Sequence, residues 1–422
     1  MINTNRYYFS INNVTFFFML LLMAVFSTVF MKLKIAISLG SIFLLVFTKV
    51  FSDSRVAVNR GVLVWMIVYL LNNAFSIFVA VHYKNPNAMS SINVDIIEPI
   101  IFFTLILFVQ RSELDGLLKI LKILTIIVCL YNIMYFLSVN GFPFLSSDWF
   151  PGMYVNNGGF SIGFNKYHSN NITWLIFLVP VAISEYILDK GKRNAFNTAI
   201  VALGLINVLG SLRSVFIIVI ALTPFITIIF AKLSGFGYNK KEVRLFMIAG
   251  GVLLFLAIIS SGTIRAILFG MMNKVFLSFS TTTNVVDSGG HIRAEQIGDL
   301  IRTWKDRPIL GWGANANSYN VVRSDVPGAY EMQYFAMLMQ KGILGFGTVI
   351  ALFGWLYKRN IDLIKRNDNY SLRVLSLMVG YTMVLLANAT NPYVGSFDRL
   401  IIVFIPLYVY RVLADIEVKN SV

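Results

Sequence analysis

Apolar runs long enough to cross a bilayer follow one another along almost the whole chain. A helix needs about 17 or more predominantly apolar residues to fill the hydrocarbon core. Helices and closed barrels are the only backbones that satisfy their own hydrogen bonds there. Runs of this kind fall near 13–31, 35–51, 61–80, 94–110, 120–138, 171–188, 195–211, 214–231, 245–261, 331–357, 372–390 and 397–412, with 35–51, 195–211 and 397–412 the shortest. The pattern predicts an all-α polytopic membrane protein of about twelve transmembrane helices. Only 13% of residues are charged, where soluble domains carry about 25%. The N-terminus lacks a small-residue cleavage site, so its first apolar run reads as a retained span and not a signal peptide.

An even number of spans puts both termini on one side, and the basic residues choose the side. With both ends in the cytoplasm, 21 of the 35 lysines and arginines fall in cytoplasmic segments and only six in short outer loops: Lys32, Lys34, Lys84, Lys166, Arg213 and Arg399. That bias follows the positive-inside rule. It accounts for the net charge of +15 without a nucleic-acid partner. Lys32 and Lys34 run against the rule, which leaves the first hairpin the least secure. The single cysteine, Cys129, rules out an internal disulfide and a thiolate metal site. Three regions result: an N-terminal bundle over 1–261, which includes an outer segment at 139–170; a large outer loop at 262–330; and C-terminal spans over 331–422.

The large loop holds the longest polar stretch, SGGHIRAEQIGDLIRTWKDRPILGWGANANSYN. Ser288 and two glycines supply a start signal and Pro308 a stop, so His291–Lys305 is expected to be helical. Ile297, Leu300, Ile301 and Trp304 then share one stripe. Arg293 lies in the middle of that stripe, with Glu295, Asp299 and Arg302 opposite. One reading is a helix on the membrane surface whose arginine reaches lipid phosphates. The other turns Arg293 inward to an anionic ligand, for which its planar, permanently charged fork is suited.

Three further places carry candidate chemistry. GSLRS at 210–214 interrupts an apolar stretch and puts Arg213 at the tip between two short helices, beside Ser211 and Ser214. An arginine at such depth is by default a functional candidate, although a loop arginine reaching interfacial water has the same sequence. Glu331 opens an apolar helix after Pro327 and Gly328. An acid in a first turn is favoured by the helix dipole, and it is equally a candidate general base. The outer segment at 139–170 mixes Trp149, Tyr154 and other aromatics with asparagines and glycines. That mixture suits a sugar-binding surface or an interfacial belt. The histidines at 82, 168 and 291 lack metal-ligand spacing. There is no phosphate-binding loop of the Walker type, and Glu98 and Glu185 are notable among few acids within spans. ATP-driven or ion-coupled transport is therefore not favoured.

Together these features resemble the O-antigen ligase/O-antigen polymerase (Wzy-type) superfamily. The resemblance lies in Arg293, Trp304, Pro308, Gly311 and Gly313 in one large outer loop, followed by a polar residue ahead of Gly342-x-x-Gly345. It is good over about 200–357 and topological elsewhere. It implies a GT-C-like glycosyltransferase acting at the periplasmic face of the inner membrane, with undecaprenyl-pyrophosphate-linked oligosaccharide as donor and acceptor. The family's essential arginines match Arg213 and Arg293. The ligase branch has a histidine eleven residues before the first glycine of G-x-x-G. Here that position is Glu331, which favours a polymerase. The expected catalytic residues are thus Glu331, Arg293 and Arg213, with Arg302, Trp304, Trp149, Tyr154 and Tyr330 as substrate contacts. No metal and no cofactor are expected, because guanidinium groups supply the neutralising charge. Membrane lipids are partners, and a chain-length regulator protein is a further candidate. The competing readings are a ligase that transfers glycan to lipid A–core and a polysaccharide transporter or flippase.

Overall fold

The structure is a computed structural model that describes residues 11–51, 59–108, 112–142, 144–155, 167–211, 214–239, 289–320 and 328–420, with 241, 243, 244 and 248 besides. Its helices are α1 (Ile11–Val25), α2 (Met31–Phe51), α3 (Arg60–His82), α4 (Glu98–Phe108), α5 (Ser112–Val139), α6 (Ile172–Leu188), α7 (Ala195–Gly210), α8 (Ser214–Ser234), α9 (Gly289–Lys305), α10 (Gln333–Lys365), α11 (Ser371–Asn388) and α12 (Phe397–Asn420). A 3-10 turn (Ala88–Ser91) and a π-helical turn (Asn93–Ile97) lead into α4. A short antiparallel ribbon pairs β1 (Met153–Val155) with β2 (Tyr167–Ser169), Tyr154 facing His168.

Among the described residues, five helical segments are long and apolar enough to cross a membrane: Arg60–His82, Ala88–Leu107, Gly116–Val139, Gln333–Lys365 and Ser371–Asn388. Ile172–Leu188, Ala195–Val208 and Ile218–Ser234 are apolar but shorter. A helical membrane protein fits these lengths. Of the expected span at 245–261 only residue 248 is among the described residues. The expected span at 331–357 is present, with a longer far end and a break inside it. Its helix starts at Gln333, runs on to Lys365, and is interrupted at Gly342, whose φ of 62° and ψ of −174° are not helical.

Helix α11 is the hub, packed against α6 and flanked by α8, α10 and α12. Its Gly380 is what lets α6 approach, since a methyl group there would run into the Phe177 carbonyl and the Val181 side chain. Small residues serve this purpose between membrane helices, where packing and not water exclusion drives association. A second knot joins α3, α4, α10 and α12. Phe103 and Phe404 meet at 4.7 Å between ring centroids and Trp65 stacks on Tyr69 at 5.3 Å. The Trp65 indole N–H donates to the Leu352 carbonyl at 2.8 Å.

Two ion pairs lie inside this apolar body. Lys34 on α2 is fully buried and lies 2.7 Å from Asp398 at the start of α12. The Lys34 ammonium also donates to the Phe26 carbonyl at 2.7 Å, and the Thr28 N–H donates to Asp398 at 2.6 Å. Lys34 therefore counts as half of a neutral pair, which removes one of the two exceptions to the charge bias; Lys32 stays exposed. Lys122 and Glu185 pair at 2.6 Å, and Lys122 also donates to Asn197, joining α5, α6 and α7.

The turns at 26–30, 82–90 and 389–396 gather at the end of the bundle that carries α9. Asn170 donates to Thr28, Asn171 to the Val25 carbonyl, and Asn85 to the Ala314 carbonyl. Arg366 reaches the Leu413 carbonyl at the opposite end. Lys190, Lys192, Arg193, Lys365 and Arg366 sit at that far end, on the turns after α6 and α10.

Candidate functional site

Helix α9 ends at Lys305, where it was expected to end, and starts two residues earlier than expected. Its buried face differs from the predicted stripe. Gln296, Leu300 and Thr303 are completely buried and Asp299 nearly so, whereas Ile297, Ile301 and Trp304 are only half-buried. Asp299 was expected on the water side. It accepts instead from the Asn320 N–H at 3.0 Å and from the Asn320 amide at 2.8 Å. The physical reason is the nature of the neighbour. α9 packs on folded polar loop as well as on apolar side chains, so polar groups are buried where they find partners. Its apolar side meets protein: Leu300 clusters with Ala316, Tyr330, Ala336 and Met339, with Trp304, Trp312, Met332 and Phe335 around them.

Arg293 and Glu331, 38 residues apart, meet across this packing. The Arg293 Nε donates to Glu331 Oε2 at 2.8 Å, and their side chains are 24% and 11% exposed. Both are sheltered, and both can still be reached. Gln296, one turn from Arg293 on α9, accepts the Glu331 backbone N–H at 3.1 Å. The same helix thus holds the backbone of Glu331 and carries its ionic partner.

The interrupted α10 explains how the loop is seated. Breaking a helix strands the carbonyls before the break and the N–H groups after it. Residues 308–313 fill that gap. Trp312 N–H donates to the Met339 carbonyl at 3.0 Å and Gly313 N–H to the Gln340 carbonyl at 2.7 Å. In return, Ile343 N–H donates to the Pro308 carbonyl at 2.8 Å and Leu344 N–H to the Ile309 carbonyl at 3.2 Å. The backbones lie so close that a side chain on Gly311 would strike the Gln340 carbonyl, and one on Gly342 the Ile309 carbonyl. Gly313 likewise abuts the backbone of Ala80 on α3. Gly311 and Gly342, one from each motif, are therefore the two sides of one splice.

Aromatic and charged groups clamp the same loop from above. The Arg307 guanidinium lies 3.3 Å from the Tyr83 ring centroid and 3.8 Å from that of Trp312. The Trp312 indole donates to the Thr303 carbonyl at 2.7 Å. The Tyr319 hydroxyl donates to Asp306 at 2.6 Å, and this bond pushes the phenol's pKa above its ordinary value. Below the splice, the Lys341 ammonium donates to Asn73 on α3, whose own amide donates to the Asp95 carbonyl in the π-helical turn.

The other expected residues fall in different places. Arg213 lies outside the described residues. Its neighbour Ser211 is buried and donates to the Val208 carbonyl at 2.7 Å. Arg302 is exposed on the outer face of α9, as expected. Trp304 is half-buried, and its indole donates to the Pro308 carbonyl at 3.1 Å. Tyr330 is 1% exposed; its hydroxyl accepts from the Ser318 N–H and donates to the Ser318 hydroxyl at 3.1 Å. In this conformation Tyr330 holds the loop and presents no open face to a sugar. Trp149 is exposed, and Tyr154 sits in β1. Sequence reasoning missed Arg307, Tyr83, Gln296 and Lys341. Tyr83 at the end of an apolar run and Arg307 before a proline gave no signal that they would stack.

No protein family matches this chain, and no curated protein does.

Proposed function

We propose that this chain is a bacterial inner-membrane polysaccharide polymerase with a GT-C-like architecture of about twelve spans. It joins undecaprenyl-pyrophosphate-linked repeat units at the periplasmic face. The observation that carries the reading is the ion pair of Glu331, a side chain able to accept a proton, with Arg293, one able to bind phosphate, at the bundle end remote from the basic turns after α6 and α10. By the positive-inside rule that end is periplasmic and both termini are cytoplasmic.

In the proposed reaction Glu331 takes the proton from an acceptor sugar hydroxyl, within general acid–base reach. The freed oxygen forms a bond to the anomeric carbon of the donor. The bond from that carbon to the phosphate oxygen breaks, and its electron pair leaves with undecaprenyl pyrophosphate. Arg293 and Arg213 meet the charge that develops there, as positioned donors do in other transfer reactions. The energy of the step comes from the activated phosphate linkage, so no nucleotide is consumed. A carboxylate at 331, where the ligase branch has histidine, supports polymerase over ligase.

A strain lacking the gene tests the reading. A polymerase mutant shows lipid A–core bearing single repeats on a lipopolysaccharide gel. Core bearing no repeat at all would point to a ligase. Repeats trapped on the cytoplasmic face would point to a flippase.

A further inference from the structure

The two side chains to which the proposed reaction gives separate tasks are bonded to each other. The guanidinium that is to meet the pyrophosphate is engaged by the carboxylate that is to take the proton. Neither can do its work at that edge while the bond stands. We propose that Glu331 is the resident occupant of the donor's phosphate site, displaced from Arg293 when the pyrophosphate arrives. This rests on the functional reading above.

Three observations carry the inference. The bond is 2.8 Å long and joins the Arg293 Nε to Glu331 Oε2, so it uses an edge from which a guanidinium also binds phosphate. Both side chains keep some exposure, 24% for Arg293 and 11% for Glu331, so a headgroup can reach them. Gln296 pins the Glu331 backbone to α9 independently of the ion pair. The side chains can therefore part by rotation about their own bonds, with the backbone in place.

A pyrophosphate carries more charge and more acceptor oxygens than a carboxylate, and a guanidinium has five donors to offer it. Exchange of one anion for the other keeps Arg293 neutralised throughout. It also turns the Glu331 carboxylate free of Arg293 only when a donor is in place. The order of events is then donor first, acceptor activation second.

Binding of undecaprenyl pyrophosphate to the purified full-length protein tests this, with inorganic pyrophosphate run in parallel to separate the headgroup from the lipid. Removing the resident anion by Glu331→Gln is expected to tighten binding of both probes by roughly tenfold, the worth of one charge-assisted hydrogen bond. Glu295→Gln, which removes an equal charge from the outer face of the same helix, is expected to leave binding unchanged. Arg293→Gln, or Arg293→Lys if the first does not accumulate, is expected to weaken it. If the arginine variant weakens binding and Glu331→Gln does not tighten it, the displacement is overturned and the functional reading stands. An equal gain in Glu295→Gln also overturns it, because general charge would then suffice. If the arginine variants bind as the wild type does, the role of Arg293 falls, and the inference falls with it.

Discussion

Glycine 342 shows how much can depend on one missing side chain. Its φ and ψ place it in a region open essentially to glycine, where other residues cost about 1–3 kcal/mol, and its Cα faces the Ile309 carbonyl across the splice. Gly342→Ala is therefore expected to lower the thermal unfolding temperature of the purified protein and to disorder the 308–313 contact. Gly347→Ala, five residues further along the same helix and with open space around it, is expected to be neutral or slightly stabilising, since alanine is the better helix former. Equal loss in both would mean that the break is not what holds the loop. At the site, Arg293→Lys keeps the charge and loses the planar fork. A clear fall in chain elongation with normal protein level is expected on a lipopolysaccharide gel.

Elements were legible in the sequence where burial in an apolar setting decided their length. Helices form over most of the apolar runs, five of them long and apolar enough to span among the described residues, and α9 ends where the sequence places its end. The sequence misplaced what depends on contacts between distant segments. Asp299 reads as a surface acid until Asn320 is seen to fold over it. The 331–357 run reads as one unbroken span until residues 308–313 enter it. Gly342 and Gly311 were visible as motif members, but the reason both must be glycine is their mutual approach. The Lys34–Asp398 pair, which staples α2 to α12, has the same character: 364 residues separate its members. Breaking it from one side leaves a buried charge and costs about 3–5 kcal/mol, whereas replacing both members by apolar residues is often nearly neutral. Lys34→Met alone is thus expected to destabilise strongly, and the Lys34→Met/Asp398→Leu double variant to recover most of the loss in thermal unfolding. An additive double variant would show that the pair contributes nothing as a pair.

For the whole molecule, the proposed orientation rests on the basic residues at one end and the loop helix at the other. Cys129 is the only cysteine and is buried, so single cysteines can be introduced without changing the background. Lys305→Cys at the end of α9 is expected to react with a membrane-impermeant maleimide in intact cells, and Lys365→Cys at the end of α10 only after the membrane is opened. The reverse pattern would put the Arg293–Glu331 pair in the cytoplasm and end the periplasmic reading.

The most direct test of the proposed activity uses the purified protein with undecaprenyl-pyrophosphate-linked repeat units and no nucleotide. The wild-type chain is expected to build a ladder of longer lipid-linked glycans. Glu331→Gln, folded and able to bind the donor, should slow that ladder by about 10²–10⁴-fold, the usual worth of a positioned proton acceptor. A Glu331→Gln protein that builds the ladder at the wild-type rate would contradict the account.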